Sequence, residues 1–209
     1  MNIELFINLC YLVSAMGFAF GIKLLGSANT AVKGNMVSAA SMGLATVVTL
    51  ISDEITNYVG IALALLIGAG IGFYAAKTVE MTGMPELVAL LNGFGGISSL
   101  LVGWAVYSHA VVINDATVAG FTAFTIVLSV FVGGLTFSGS LIAWAKLSEA
   151  MKGTPILFKF QHYINLALIG ILFLVGLKFA MSPLDSYSIF MFIVILSLIL
   201  GVLTTIPIG

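Results

Sequence analysis

Seven apolar runs of roughly 20 residues, separated only by short polar or charged breaks, constrain this sequence more than any other feature. Breaking the chain at its charges and polar clusters gives candidate spans over 5–25, 35–51, 58–76, 85–107, 118–145, 162–179 and 187–206. The runs are continuously apolar and lack the period-two alternation of a barrel wall, so each reads as a helix. The expected fold is an all-α polytopic membrane helix bundle, a single transmembrane domain over residues 1–209. The second and sixth spans are short, and the fifth is long enough to tilt or project from the bilayer.

Composition closes off the alternatives. Of 209 residues, 61% are hydrophobic and 7% are charged, against roughly 25% charged in a soluble domain. Too few charges exist to cover a water-facing surface, to keep a chain disordered or to form the basic face that nucleic acid requires. Cys10 is alone, so an intrachain disulfide and a multi-cysteine metal site are both excluded. The first run has no basic segment before it and no small-residue cleavage site, and reads as a retained span.

Loop charge orients the bundle. Lys23 and Lys33 flank the first connection, Lys77 the third, and Lys146, Lys152 and Lys159 the fifth. The second and fourth carry Asp53, Glu54 and Asp115, and the sixth has only Lys178. With six lysines on one side and one on the other, the expected topology is N-terminus outside and C-terminus cytoplasmic. Helix ends fit this segmentation. Pro85 and Glu86 suit a first turn, Gly153, Thr154 and Pro155 break the fifth connection, and Pro183 precedes the seventh span with Asp185 or Ser186 as its cap.

Small residues recur at helical spacing in Gly17 with Gly21, Gly68 with Gly72, and Gly134 with Ser138. Such pairs let helix backbones approach closely in lipid, inside the bundle or at a subunit contact. The run Gly70–Ala75 also matches a G-x-G-x-x-A dinucleotide pattern. It lies within an apolar span, without a preceding strand or a following acid, and is a chance match.

No Asp, Glu, Lys or His falls near the middle of a span. His109 and His162 sit near span ends and read as interfacial residues, not proton relays. The internal polar groups are neutral. Asn92 lies about 10 Å into the fourth span, beside Gly93, Gly95 and Gly96 and before Ser98 and Ser99. The fifth span adds Thr136, Ser138 and Ser140, and the sixth Asn165, all in the half facing the cytoplasm. A serine or threonine can bond its own helix, but an amide at membrane depth needs another helix or water. It does not titrate near neutral pH, so any proton carried past Asn92 needs a relay from elsewhere.

Four stretches then carry a resemblance. Val79–Phe94 resembles the E-M-T-x-M-P-E-L-V-A signature of the beta subunit of proton-translocating nicotinamide nucleotide transhydrogenases. Thr136–Ala143 with Lys146–Leu147, and more weakly Gln161–Ala167, resemble further motifs of that family, and Ile206–Gly209 the opening of its next one. The resemblance covers essentially the whole chain. It implies a proton-translocating membrane component, in which inward proton movement is coupled to hydride transfer from NADH to NADP on soluble domains outside this segment.

The same resemblance implies no catalytic, cofactor or metal residue here, with NAD and NADP bound only in the complete complex. The family's NADP-binding domain and last membrane helices are expected beyond Gly209, in a longer chain or a split subunit. Implied partners are the alpha subunit, the NADP-binding domain, the lipid bilayer and a second copy of the whole complex. The bacterial inner membrane is expected in preference to the mitochondrial one. Residue by residue, Asn92 matches the position where many members have a proton-transferring histidine. Other members have asparagine there and take a histidine from a neighbouring alpha-subunit helix. Glu86 matches an acid at the cytoplasmic mouth, Ser140 the serine of the adjoining motif, and His162 a family histidine. The expected proton pathway is therefore Asn92, Glu86 and Ser140.

Two other classes compete. A passive anchor and assembly subunit would depend on Gly68 and Gly72 more than on Asn92. An unrelated solute carrier is disfavoured by the lack of paired intramembrane charges and of an inverted repeat. A retinal protein is excluded, since the seventh span has no lysine for a Schiff base.

Overall fold

The computed structural model describes residues 3–51, 57–113, 120–184 and 186–208. Among these, seven helices are long and apolar enough to cross a membrane, and no strand occurs. They are α1 (Ile3–Leu25), α2 (Ala31–Ile51), α3 (Tyr58–Thr78), α4 (Met84–Ile113), α5 (Phe121–Leu147), α6 (Gln161–Met181) and α7 (Tyr187–Thr205). A single 3-10 turn, Met81–Gly83, leads into α4. The all-helical polytopic fold stands. Asp53, Glu54, Asp115 and Asp185 lie outside the described residues.

Several boundaries differ from those expected. Helix α2 has 21 residues and begins four earlier, taking Lys33 into its first turn. Thr30 ends the preceding turn by donating its hydroxyl to Leu24 O at 2.5 Å. The sixth span also reaches 21 residues, so neither is short. The longest helix is α4, not the fifth. Its 30 residues extend about 45 Å, because Tyr107, Ser108 and His109 continue the helix and do not end it. Pro85 and Glu86 do occupy its first turn. Ser186 precedes α7 but donates its hydroxyl back to Ser182 O, and makes no capping bond to an α7 amide. Lys23, Lys77, Lys146 and Lys178 each sit in the last turn of a helix, where a cation faces the negative end of the dipole.

The chain forms two compact units, Met1–Tyr74 and Ala75–Gly209. In the first, α1 and α2 pack along small residues. A Cβ on Gly17 would strike the Ser41 hydroxyl, and one on Gly34 would lie 2.8 Å from Gly21 O. Tyr11 and Thr49 share a hydrogen bond of 2.9 Å across the same pair. Helix α3 differs: none of its residues is buried, and a Cβ on Gly68, Gly70 or Gly72 would meet nothing within 4 Å.

The second unit is organised around α5, which packs against α4, α6 and α7. Toward one end the core is aromatic. Tyr107 is fully buried, stacks on Phe190 at 4.4 Å and meets Phe179 edge-on at 5.2 Å. Its hydroxyl donates to Pro183 O at 3.1 Å. Toward the other end, glycine and serine replace bulk. Gly133 presses on α4, where an added Cβ would lie 2.6 Å from Gly96 O and Leu100 N. The adjacent Gly134 presses on α7, where the obstacle is Ser197. Successive helical positions point about 100° apart, so two neighbouring glycines admit two neighbouring helices.

These contacts predict a contrast between glycines. Gly133→Ala forces a methyl against backbone and is expected to cost about 3 kcal/mol. Gly170→Ala, with open space at its Cβ, is expected to be neutral or to gain up to about 1 kcal/mol from helix propensity. Thermal denaturation of the complete protein in detergent checks both. Equal melting temperatures for the two variants would refute the backbone contact.

Candidate functional site

The polar site grows out of the glycine-lined half of α5. Six residues beyond the Gly133–Gly134 pair, Gly139 meets α7 and Ser140 meets α4. A Cβ on Gly139 would lie 2.7 Å from Thr205 Oγ1, and one on Gly93 would lie 3.2 Å from Ser140 Cβ. Asn92 of α4 stands next to Gly93. It spans the crossing by donating from Nδ2 to Ser140 Oγ at 2.8 Å. The amide therefore finds its partner on another helix.

Together these side chains line a groove of about 310 Å³, bounded by Asn92, Leu135, Thr136, Gly139, Ser140, Ala143 and Thr205. The groove is open, and Asn92 is exposed in this chain while Ser140 is buried. A primary amide offers two donors and one acceptor oxygen, so the bond to Ser140 leaves groups available to a second partner. An exposed amide at membrane depth is costly unless water or another helix meets it.

The other candidates separate. Thr136 lines the groove, and Thr205 is a lining residue that sequence reasoning did not single out. Ser138 and Ser98 donate to their own helices, at Gly134 O (3.0 Å) and Phe94 O (2.7 Å). Ser99 instead crosses to α5. The Ser99 and Ser129 hydroxyls lie 3.1 Å apart, and Ser129 donates to Ser99 O at 2.7 Å. Ser129 was missed because a lone serine in an apolar run carries no signal of its partner.

Glu86 is half-buried and does not line the groove among the described residues. It lies six residues before Asn92, about 9 Å along α4 and about 120° round it. Its position continues the stripe of Gly93, Gly96, Leu100, Gly103 and Tyr107, which faces α5. Asn165 also lies apart from the groove; its Oδ1 is buried and has no hydrogen-bond partner among the described residues. His109 and His162 are both exposed. No group of three metal-ligating side chains occurs among the described residues.

A double-mutant cycle on Asn92→Ala and Ser140→Ala, read by thermal or denaturant unfolding, should return a coupling energy of about 1 kcal/mol. Strict additivity would mean that the two side chains do not interact.

Comparison with known proteins adds an independent line. Residues 7–209 match the family model described as NAD(P) transhydrogenase beta subunit. The chain is 34% identical over 202 residues to NAD(P) transhydrogenase subunit beta of Rhodospirillum rubrum, and equally to that of a specified strain of the species. The alignment covers 95% of this chain and 43% of each relative, so the chain spans less than half of their length.

Proposed function

The chain belongs to the NAD(P) transhydrogenase beta subunit family, and on that premise we propose that its helices form part of a proton path coupled to hydride transfer from NADH to NADP. The carrying observation is the Asn92–Ser140 bond of 2.8 Å, set in an open groove beside a helix long and apolar enough to cross a membrane. Hydride transfer takes place on soluble domains that bind NAD and NADP, and this segment binds neither. Asn92 orients a water molecule or an imidazole supplied by an alpha-subunit helix. Ser140 fixes the rotation of that amide by accepting a hydrogen bond from its Nδ2. Glu86, in the first turn of α4, holds negative charge at the inner entrance. The relay itself is not Asn92, because a carboxamide does not exchange its charge at neutral pH.

In this reading residues 1–209 act as one transmembrane domain, with the Lys146 end of α5 toward the cytoplasm of a bacterial cell. Inward proton movement follows the groove, and occupancy of the NADP-binding domain shifts the population of states with access to it. The assembly comprises this subunit, the alpha subunit and a second copy of the complex in the bilayer. One observation favours anchoring as an added role: among the described residues, nothing lies within 4 Å of a Cβ added at Gly68 or Gly72 of α3.

Asn92→Leu in the assembled complex tests the central assignment. Proton-coupled transhydrogenation in vesicles should fall at least tenfold with assembly intact, and Glu86→Gln should lower it less. Unchanged coupled turnover in Asn92→Leu, with normal assembly, removes the residue from the mechanism and leaves the anchor reading.

A further inference from the structure

At the Lys146 end of α5, the groove adjoins a second cavity of about 240 Å³ lined by Ala143, Lys146, Leu147, Gly153, Thr205 and Ile208. Ala143 and Thr205 line both. One wall of the Asn92 groove is thus built from the end of α7. Hydrogen bonds from two other parts of the chain hold that end. Lys146 donates from Nζ to Ile206 O at 2.7 Å and also to Ile208 O. Ile206 O accepts a second bond, from the Ile156 amide in the α5–α6 connection, at 3.3 Å.

Ile206 is the C-cap of α7, where carbonyls lack intrahelical donors and the helix dipole is negative. An ammonium bonded to the Ile206 carbonyl meets both demands at once, and its second bond, to Ile208 O, ties down the chain just beyond the helix. A hydrogen bond from a charged donor is also stronger than one between neutral groups. Lys146 is only half-buried, so its bonds can be released without stranding a cation in hydrocarbon.

We propose that Lys146 is a positioning residue, a clasp between α5 and the chain leaving α7 that sets the width of the Asn92 groove. Displacement of residues 206–208 pulls Thr205 from the groove wall, and Lys146 resists it. The position of the segment after α7 is thereby transmitted to the Asn92–Ser140 pair. This deepens the reading of the groove as a proton path and rests on it.

The test uses the complete assembled complex. In Lys146→Met, hydrogen exchange at the Ile206 and Ile208 amides should quicken at least tenfold, and protons moved per hydride transferred should fall at least threefold. Lys146→Arg, which keeps charge and reach, should restore both toward wild type. Lys152→Met, in the neighbouring connection, should change neither. Wild-type exchange in Lys146→Met would overturn the clasp, and faster exchange with an unchanged proton-to-hydride ratio would reduce Lys146 to a structural role and overturn the proposal. If Lys146→Met does not assemble, Lys146→Gln carries the same comparison with the charge removed. Asn92→Leu reports separately: it should leave amide exchange at 206–208 untouched, so failure of the groove and failure of the clasp appear in different variants.

Discussion

Everything in the second unit depends on how closely backbones approach α5. Side chains of ordinary size hold helix axes 8–10 Å apart. At Gly133 and Gly134 that spacing collapses on two sides, since α4 and α7 each meet glycine backbone there. The hydrophobic effect does not drive such contacts between helices in lipid, so dispersion and short hydrogen bonds must hold them. The result is a pinch point, with aromatic bulk on one side and a groove on the other. Asn92 and Ser140 meet because the pinch brings α4 within reach of α5 two turns further on.

The polar half is arranged by the same pattern. Ser138 and Gly139 turn to α7, and Ser140 to α4, so one short stretch of α5 addresses two helices. A hydroxyl is small enough to sit where glycine would, and adds an acceptor. That acceptor gives the Asn92 amide a partner on the neighbouring helix. A larger acceptor at position 140 would push α4 away and lose the contact that orients Asn92.

Much of this was legible in the chain. The seven runs follow from length and apolarity, and the proline and acid at 85 and 86 mark the start of α4. Asn92 had to bond outside its helix, and it does. Gly17, Gly21, Gly134 and Ser138 pack as their spacing implied, whereas Gly68 and Gly72 show that spacing cannot say whether a partner is present. Two boundaries escaped because polarity was read as a break. Lys33 can extend its stem along a helix end, and Tyr107, Ser108 and His109 keep helical backbone while their side chains find separate partners or solvent. Thr205 and Lys146 meet their partners across about 60 residues, and no local pattern encodes such pairings.

The reciprocal bonds between Ser99 and Ser129 have a mechanical corollary. A pair of hydroxyls that each engage the opposite helix fixes both the sliding and the rolling of α4 against α5. These two helices therefore behave as a single beam. Any breathing of the cleft beside Asn92 then falls to the limb opposite the beam, beyond the point where Gly201 of α7 presses on Leu135 and Ser138, as the jaws of a pair of tongs move only beyond their rivet.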